Sequence, residues 1–503
     1  MRLRTWKAKI TMRDLKPILN HIDVEANSLL VNQLRLDSRD VHPGDVFVAI
    51  KGHQLDGGQF IKKAIESGAV AVIADRLCEF ESHFEPLYLV SDLAKKLPAL
   101  AAAFYQQPSA ELDLVGVTGT NGKSTTTAMI AHLAQQCHKS AAVIGTLGYG
   151  HPEQLTPLAN TTPSSVDLQR ILSELRDQHM NVVAMEVSSH GLVQQRVDHC
   201  QFKAAVFTNL SRDHLDYHGT MDAYGDAKLM LLRDHNPETV VLNQDDAQVE
   251  QWLEKYDFNN LICYGHKNLA PKGARYVYFS DVVYSNTGIS ATFETSWGHA
   301  EVQSALFGEF NLYNLAAAMA TLLGMGYPLS QLVDACKSLQ PVAGRMQAFS
   351  APGQPTCIVD YAHTPDALAL ALQALQKHVP GGVSCVFGCG GDRDKGKRPM
   401  MAKAAEGNAD RIIVTSDNPR SEDPNAIIAD VVAGLEHPER AHCEADRARA
   451  ISYAIEQANA DDVILIAGKG HEDYQIIGDQ RIDFCDRQYV QQQLKEKSQG
   501  AQL

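Results

Sequence analysis

The stretch Leu112-Asp113-Leu114-Val115-Gly116-Val117-Thr118-Gly119-Thr120-Asn121-Gly122-Lys123-Ser124-Thr125 decides how this chain is read. An apolar, β-prone run ends in a glycine-rich turn, and the pattern from Thr126 to Gln136 is helical. Strand, glycine turn and helix in that order make a phosphate-binding loop. Gly119 and Gly122 tolerate the dihedrals that turn backbone N–H groups inward, and the helix adds its positive N-terminal end. Lys123 is placed to reach terminal phosphates and Ser124 to ligate Mg²⁺. The loop is a variant: Val117 stands where the usual pattern has its first glycine, and Gly116 and Gly119 lie to either side. A tight turn with a solvated lysine is the plainer alternative, but it does not account for a strand before and a helix after.

Working outward, 503 residues suffice for roughly two to four domains. The hydrophobic content of 45% supports real cores. No apolar run approaches the roughly 20 residues of a membrane span. Met1 to Asp14 is mixed and charged, unlike a signal peptide. Ten cysteines are scattered from Cys78 to Cys485 without a C-x-x-C pair, which predicts neither a disulfide framework nor a zinc ribbon and fits a reducing cytoplasm. A net charge of −15 argues against nucleic acid as a partner. The expectation is a monomeric cytoplasmic protein, without membrane insertion, that gathers anionic substrates through loop amides, Mg²⁺ and a few placed cations.

Three blocks appear along the chain: 1–107, 108–347 and 348–503. The first holds strand-like Val46 to Ile50 and Ala69 to Ala74, a helical stretch from Phe60 to Ser67, and an alanine-rich helix from Leu93 to Tyr105. In the second, strands are expected at Val182 to Val187, Ala204 to Phe207 and Thr239 to Leu242. The third opens after Ala351-Pro352-Gly353, read as linker-like punctuation, with strands at Thr356 to Asp360, Val383 to Phe387, Ile412 to Thr415 and Val463 to Ala467. Alternation of strands with helices predicts an α/β protein with parallel sheets, whose ligands sit at the carboxyl ends of strands.

Polar clusters follow several of those strands. Glu186 is well placed for Mg²⁺, which prefers oxygen ligands; a capping or ion-paired glutamate is the alternative. His214 and His218, four apart, would share a helical face, but the H-E-x-x-H order of a zinc protease is missing. Lys228, taken alone, reads as a helix-surface lysine. Asn311 and Asn314, ahead of an alanine-rich helix, could read an adenine edge or belong to a turn and N-cap. Arg345 could touch phosphate or ribose. Asp360 could hold a ribose hydroxyl or cap the next helix.

As a set, Gly119 to Thr125, Glu186 to His190, Asp213-His214, Lys228, Gly308 to Asn314, Gly344-Arg345 and Asp360 to His363 resemble the Mur ligase family, which is itself similar to folylpolyglutamate synthetases. The resemblance implies a three-domain α/β architecture: an N-terminal uridine-nucleotide domain, a central P-loop ATPase domain and a C-terminal Rossmann-like, amino-acid-binding domain. It implies ATP on Gly119, Thr120, Asn121, Gly122, Lys123, Ser124, Thr125, Asn311, Asn314, Arg345 and Asp360. It implies Mg²⁺ on Ser124, Glu186, His214 and a carbamylated Lys228 (N6-carboxylysine), with Lys123, Glu186, His214 and Lys228 catalytic.

Further segments resemble the branch that adds meso-diaminopimelate to UDP-N-acetylmuramoyl-L-alanyl-D-glutamate. Leu36, Ser38, His53, Gln54, Leu55, Asn160, Thr161, Thr162, Ser188, Gln194 and Arg196 would bind the UDP-muramyl dipeptide. Arg393, Asp417, Asn418, Pro419, Arg420, Gly468 and Glu472 would bind diaminopimelate. The implied activity is ATP-dependent amide-bond formation through an acyl phosphate, in peptidoglycan precursor synthesis. A lysine-adding muramyl ligase, a folylpolyglutamate synthetase and a non-catalytic nucleotide-binding protein are the alternatives; Asp417-Asn418-Pro419-Arg420 argues against the first two.

Overall fold

The computed structural model describes residues 12–51, 55–80, 84–266 and 270–500. His53 and Gln54 lie outside the described residues. The chain forms two compact units, one built on the residues up to Cys263 with Ala320–Gly326, the other on Tyr276–Met319 and everything from Tyr327 onward.

The first unit holds a two-stranded antiparallel pair, Arg13–Asp14 with Leu30–Val31, and two larger sheets. Leu34–Arg35, Val46–Ala49, Ala71–Asp75 and Leu87–Val90 pair in parallel. The helix Leu93–Phe104 adds Leu93, Leu97, Leu100 and Phe104 to their core. In the second sheet the parallel order is Ala141–Gly145, Val182–Glu186, Asp113–Thr118, Ala204–Phe207, Thr239–Asn243. These strands are buried along their whole length apart from Asp113, which explains their unbroken apolar runs in place of an alternating pattern. Leu114, Ile144, Met185 and Phe207 are fully buried, each contributing about 2 kcal/mol relative to exposure. The P-loop strand Asp113–Thr118 lies between Val182–Glu186 and Ala204–Phe207. The loop after it is therefore flanked by the carboxyl ends of both neighbours, the position where open α/β sheets take ligands.

The second unit begins with an antiparallel meander, Arg275–Ser285, Gly288–Thr295 and Gly298–Ser304, which the sequence reading did not anticipate. After the helix Glu309–Gly324 comes a sheet of order Gln347–Phe349, Thr356–Asp360, Val463–Ala467, Val383–Phe387, Arg411–Val414, Ala441–Cys443. All pairings are parallel except the first. Ala351-Pro352-Gly353 is thus the turn of a hairpin within this sheet, with Gly353 at φ +72°, and not a linker. A second hairpin, Tyr474–Ile477 with Gln480–Asp483, follows the strand Val463–Ala467.

Candidate active site

Gly119 and Gly122 both have positive φ, +149° and +86°. A Cβ on Gly119 would overlap Thr208 Oγ1, so only glycine lets the loop lie against the neighbouring strand end. That strand end also holds the loop. Thr120 N donates to Asn209 O at 2.8 Å, Asn121 N to Asn209 Oδ1 at 3.0 Å, and Thr208 Oγ1 to Asn121 O at 2.6 Å. No local pattern in the sequence marks Thr208-Asn209 for this bracing role. Gly122 is the N-cap of the helix Lys123–Gln136, so Lys123, Ser124 and Thr125 occupy its first turn.

Lys123 folds back, its Nζ donating to Gly119 O and Thr120 O at 2.8 Å each. Lys228, in the helix Met221–Arg233, also donates to Gly119 O at 2.8 Å. It is not a surface residue: it is 1% exposed, with its ammonium 4.2 Å from the Tyr224 ring centroid. Burial first, and the Lys123 charge second, push its pKa well below the ordinary lysine value, against an opposing pull from Asp213. The environment favours the neutral amine.

Glu186 closes its strand, 3% exposed. Its Oε1 accepts from Thr146 N at 2.8 Å and its Oε2 from Thr146 Oγ1 at 3.2 Å. Among the described residues it neither caps a helix nor pairs with a cation. His214 is half exposed at φ +52° and precedes a single helical turn, Leu215–His218. Its ring packs edge-on against His190, centroids 4.9 Å apart. Among the described residues, no three His, Cys, Asp or Glu side chains gather as a metal cage. Mg²⁺ usually takes one or two protein carboxylates and completes its shell with phosphates and water, so an oxygen donor such as Glu186 beside the P-loop strand fits that ion.

Of the residues expected at the muramyl dipeptide nucleotide, Thr161, Thr162, Ser188, Gln194 and Arg196 fall into one network around Glu186. Thr161 Oγ1 lies 3.0 Å from Thr146 Oγ1. Thr162 Oγ1 joins Glu186 O, Ser188 N and Ser188 Oγ. Arg196 reaches Thr162 O at 2.7 Å and Gln194 Oε1 at 2.6 Å. Ser188 also caps the helix Ser189–Val193. Asn160 is exposed. In the N-terminal sheet, Ser38 is buried in a short 3-10 turn capped by Asp37, Leu36 is half-buried beside it, and Leu55 is 67% exposed.

Four further nucleotide candidates lie in the second unit. Asn311 and Asn314 sit one turn apart inside the helix Glu309–Gly324, both buried, joined by Asn314 Nδ2 to Asn311 Oδ1 at 3.2 Å. Asn311 Nδ2 donates to Phe307 O, so neither is an N-cap. The Arg345 guanidinium lies 4.5 Å from the Tyr361 ring centroid, and its Nε is buried with no hydrogen-bond partner among the described residues. Asp360 accepts from Met346 N at 2.7 Å and Ala362 N at 2.8 Å. It does not cap the next helix, Pro365–Gln376; Thr364 does.

The amino-acid candidates meet at the carboxyl ends of Arg411–Val414 and Val463–Ala467. Asn418 Nδ2 donates to Glu472 Oε2 at 2.9 Å. Arg420 takes φ +50° and is held by two backbone bonds, its N to Ile476 O and Gly478 N to its O. Its Nη1 donates to Gly391 O at 2.7 Å. Arg420 forms no ion pair with its neighbours Glu422 and Asp423: Glu422 is taken by the fully buried Arg398 and by Lys395, and Asp423 caps the helix Pro424–Val432. Pro419 packs its carbonyl against Gly391, where any Cβ would overlap it. A Cβ on Gly390 would lie 3.0 Å from Arg420 Nη1 and 3.6 Å from Arg393 Cγ, so both arginines flank that glycine. Gly468, at φ +112°, leaves room for the Asp417 carboxylate. Burial raises the Asp417 pKa, against the opposing charges of Arg447 and Lys469.

Two buried cations here were missed from sequence. Arg447 makes a bidentate pair with Asp486, at 2.8 and 2.7 Å, and ties Ser416 O to Ala467 O. Lys469 pairs with Glu472. Nothing in a linear sequence separates such cations from solvated ones.

The chain matches three family models: the "Mur ligase family, catalytic domain" over residues 30–105, the "Mur ligase middle domain" over 117–322 and the "Mur ligase, glutamate ligase domain" over 344–470. It is 47% identical to the UDP-N-acetylmuramoyl-L-alanyl-D-glutamate–2,6-diaminopimelate ligase of Vibrio vulnificus (strain YJ016), over 93% of this chain and 96% of that one. Among solved structures, a UDP-N-acetylmuramoyl-L-alanyl-D-glutamate–2,6-diaminopimelate ligase superposes with a TM-score of 0.71 at 36% identity, covering 97% of this chain and 100% of that one. A MurF ligase from Thermotoga maritima in complex with ADP shares the fold, with a TM-score of 0.65 at 20% identity over 93% and 98% of the two chains.

Proposed function

This chain belongs to the Mur ligase family, and from that premise we propose that it joins meso-2,6-diaminopimelate to UDP-N-acetylmuramoyl-L-alanyl-D-glutamate at the expense of ATP. The amino-acid cluster carries the reading. Arg420 offers a guanidinium, and Glu472 and Asn418 offer a carboxylate and an amide. Together they match the far end of diaminopimelate, which bears both an amino group and a carboxylate.

A carboxylate resists attack by an amine because its leaving group is poor. A substrate carboxylate oxygen first attacks the γ-phosphorus of ATP, the bond to ADP breaks, and an acyl phosphate forms. The amine of diaminopimelate then attacks the acyl carbon, loses a proton and expels phosphate. Positioning and charge neutralisation dominate both steps. Lys123 unfolds from the Gly119 and Thr120 carbonyls to meet the terminal phosphates, and the P-loop amides bind their oxygens. Ser124, Glu186, His214 and Lys228 as its carbamate would hold Mg²⁺, which when bound neutralises phosphate charge. Carbamylation needs the neutral amine, which the buried setting of Lys228 favours. Asn311, Asn314, Arg345 and Asp360 would serve adenine and ribose, and Arg345 Nε is a buried donor awaiting an acceptor. Thr161, Thr162, Ser188, Gln194 and Arg196 would receive the dipeptide end of the muramyl nucleotide, with Leu36, Ser38 and Leu55 toward uridine. Arg393 would assist Arg420. Ten free cysteines fit action in the cytoplasm.

The test is ADP release by the purified protein with Mg²⁺-ATP, muramyl dipeptide nucleotide and one amino acid at a time. Release should require both organic substrates and be fastest with meso-diaminopimelate. Lys123→Ala should lower turnover by about 10²-fold or more while the protein stays folded. ATP binding without release under any of these conditions would make the protein a nucleotide binder and end the proposal.

A further inference from the structure

Lys469 is fully buried, yet its ammonium is satisfied on three sides: Glu472 Oε2 at 3.0 Å, Asn418 Oδ1 at 3.3 Å and the face of Tyr474, centroid 5.3 Å away. The Asn418 amide has a determined orientation. Ile476 N can only donate, and it donates to Asn418 Oδ1 at 3.0 Å, so that atom is the oxygen and Nδ2 faces Glu472. Glu472 Oε2 therefore receives two donors, and among the described residues no hydrogen bond reaches Oε1. The strand ends that carry Asn418 and Lys469 are joined by Arg447, which bridges Ser416 O and Ala467 O while paired with Asp486. The whole cluster is braced, with one carboxylate oxygen left over.

We propose that Lys469 is a positioning residue for the amino-acid substrate: it fixes the Glu472 carboxylate so that Oε1 receives the substrate's far ammonium. This rests on the function proposed above. Lys469 is too deeply buried to touch substrate and acts through Glu472 and Asn418. Its charge matters as well as its hydrogen bonds. Without it, Glu472 Oε2 keeps only the Asn418 amide, and Arg447, buried beside the cluster, is already paired with Asp486. The carboxylate then loses a charge-assisted hydrogen bond and the fixed orientation that leaves Oε1 for the substrate. Removing the cation therefore weakens substrate binding, although it makes the pocket formally more negative.

The experiment is steady-state kinetics on Lys469→Met, which keeps volume and removes charge, and on Lys469→Gln, which keeps a donor. Both should raise KM for diaminopimelate roughly ten- to a hundredfold, the range for a hydrogen bond to a charged group. KM for ATP and for the muramyl dipeptide nucleotide should not change. In a Glu472→Gln background, adding Lys469→Met should change KM for diaminopimelate by less than about threefold, because the two residues act as one unit. Independent, multiplying effects would overturn the proposal, as would equal losses for all three substrates or loss of the folded state in both variants. Absence of diaminopimelate-dependent turnover in the wild type would overturn the function itself and this inference with it. Wild-type turnover with an unchanged KM in the variants would overturn the inference alone.

Discussion

Lys123 and Lys228 donate to the same carbonyl, that of Gly119, and burial makes them unequal. Lys123, in the first turn of its helix, is only half-buried, which suits the mobile phosphate-binding cation proposed for it. Lys228, 1% exposed, is driven toward the neutral amine. If it works as a carbamate, arginine cannot replace it, because a guanidinium stays charged and forms no such adduct. Lys228→Arg should then be as inactive as Lys228→Ala in the ADP-release assay; recovery of activity by arginine would make Lys228 a simple cation. Arg420 makes the complementary case for selectivity. Held by backbone bonds at φ +50°, it spends one Nη on Gly391 O. A guanidinium meets a carboxylate through two parallel bonds, and lysine has no carboxylate at its far end. Arg420→Ala should lower kcat/KM for diaminopimelate by about 30- to several thousandfold and leave the poor reaction with lysine nearly unchanged. Equal proportional losses for both amino acids would show that Arg420 supports the fold and does not select the substrate.

Between elements, His378 is the clearest single connector. Its Nε2 accepts from Gly308 N at 2.9 Å and its Nδ1 donates to Ser285 O at 2.8 Å, so its tautomer is set. Through it, the residues after the helix Pro365–Gln376 hold both the first turn of the meander and the start of the helix bearing Asn311 and Asn314. Burial lowers its pKa from the ordinary 6.5. Below that value the unfolded chain takes up a proton that folded His378 resists, so its contribution is present at neutral pH and shrinks as pH falls. His378→Gln should lower the thermal midpoint at pH 8, and the gap to wild type should narrow by pH 5.5. A gap independent of pH would show that the imidazole is only filling space. This link could not be read from sequence, because one histidine with two backbone partners leaves no local pattern. The meander was missed for a related reason: Arg275–Ser285 breaks its register between Ser280 and Val283, and its exposed face blurs the alternation that marks a strand. The parallel strands were legible, since Ala204–Phe207, Val383–Phe387 and Val463–Ala467 are buried throughout and Thr356–Asp360 is buried between two half-buried ends, so each reads as a short, largely apolar run.

Across the whole molecule, local motifs and the family resemblance named candidate residues, Asn418 and Glu472 among them, while the contacts that assemble a site stayed hidden. The P-loop is one continuous segment, so its glycines, lysine and helix could be assigned by inspection. The amino-acid cluster draws Asn418, Lys469, Glu472 and Ile476 from different strand ends, and the buried cations Lys469, Arg447 and Arg398 look like any others until burial is known. Asn209 was likewise invisible as the residue that braces the P-loop. The central claim is that this member of the Mur ligase family builds an amide bond to diaminopimelate. Its most direct test is the mass of the product formed by the purified protein from ATP, Mg²⁺, UDP-N-acetylmuramoyl-L-alanyl-D-glutamate and an equimolar mixture of meso-diaminopimelate, lysine and glutamate. The account predicts a single new nucleotide, heavier by one diaminopimelate less one water, with one ADP and one phosphate per bond formed. A lysine or glutamate adduct as the main product, or ATP hydrolysis without an adduct, would contradict it.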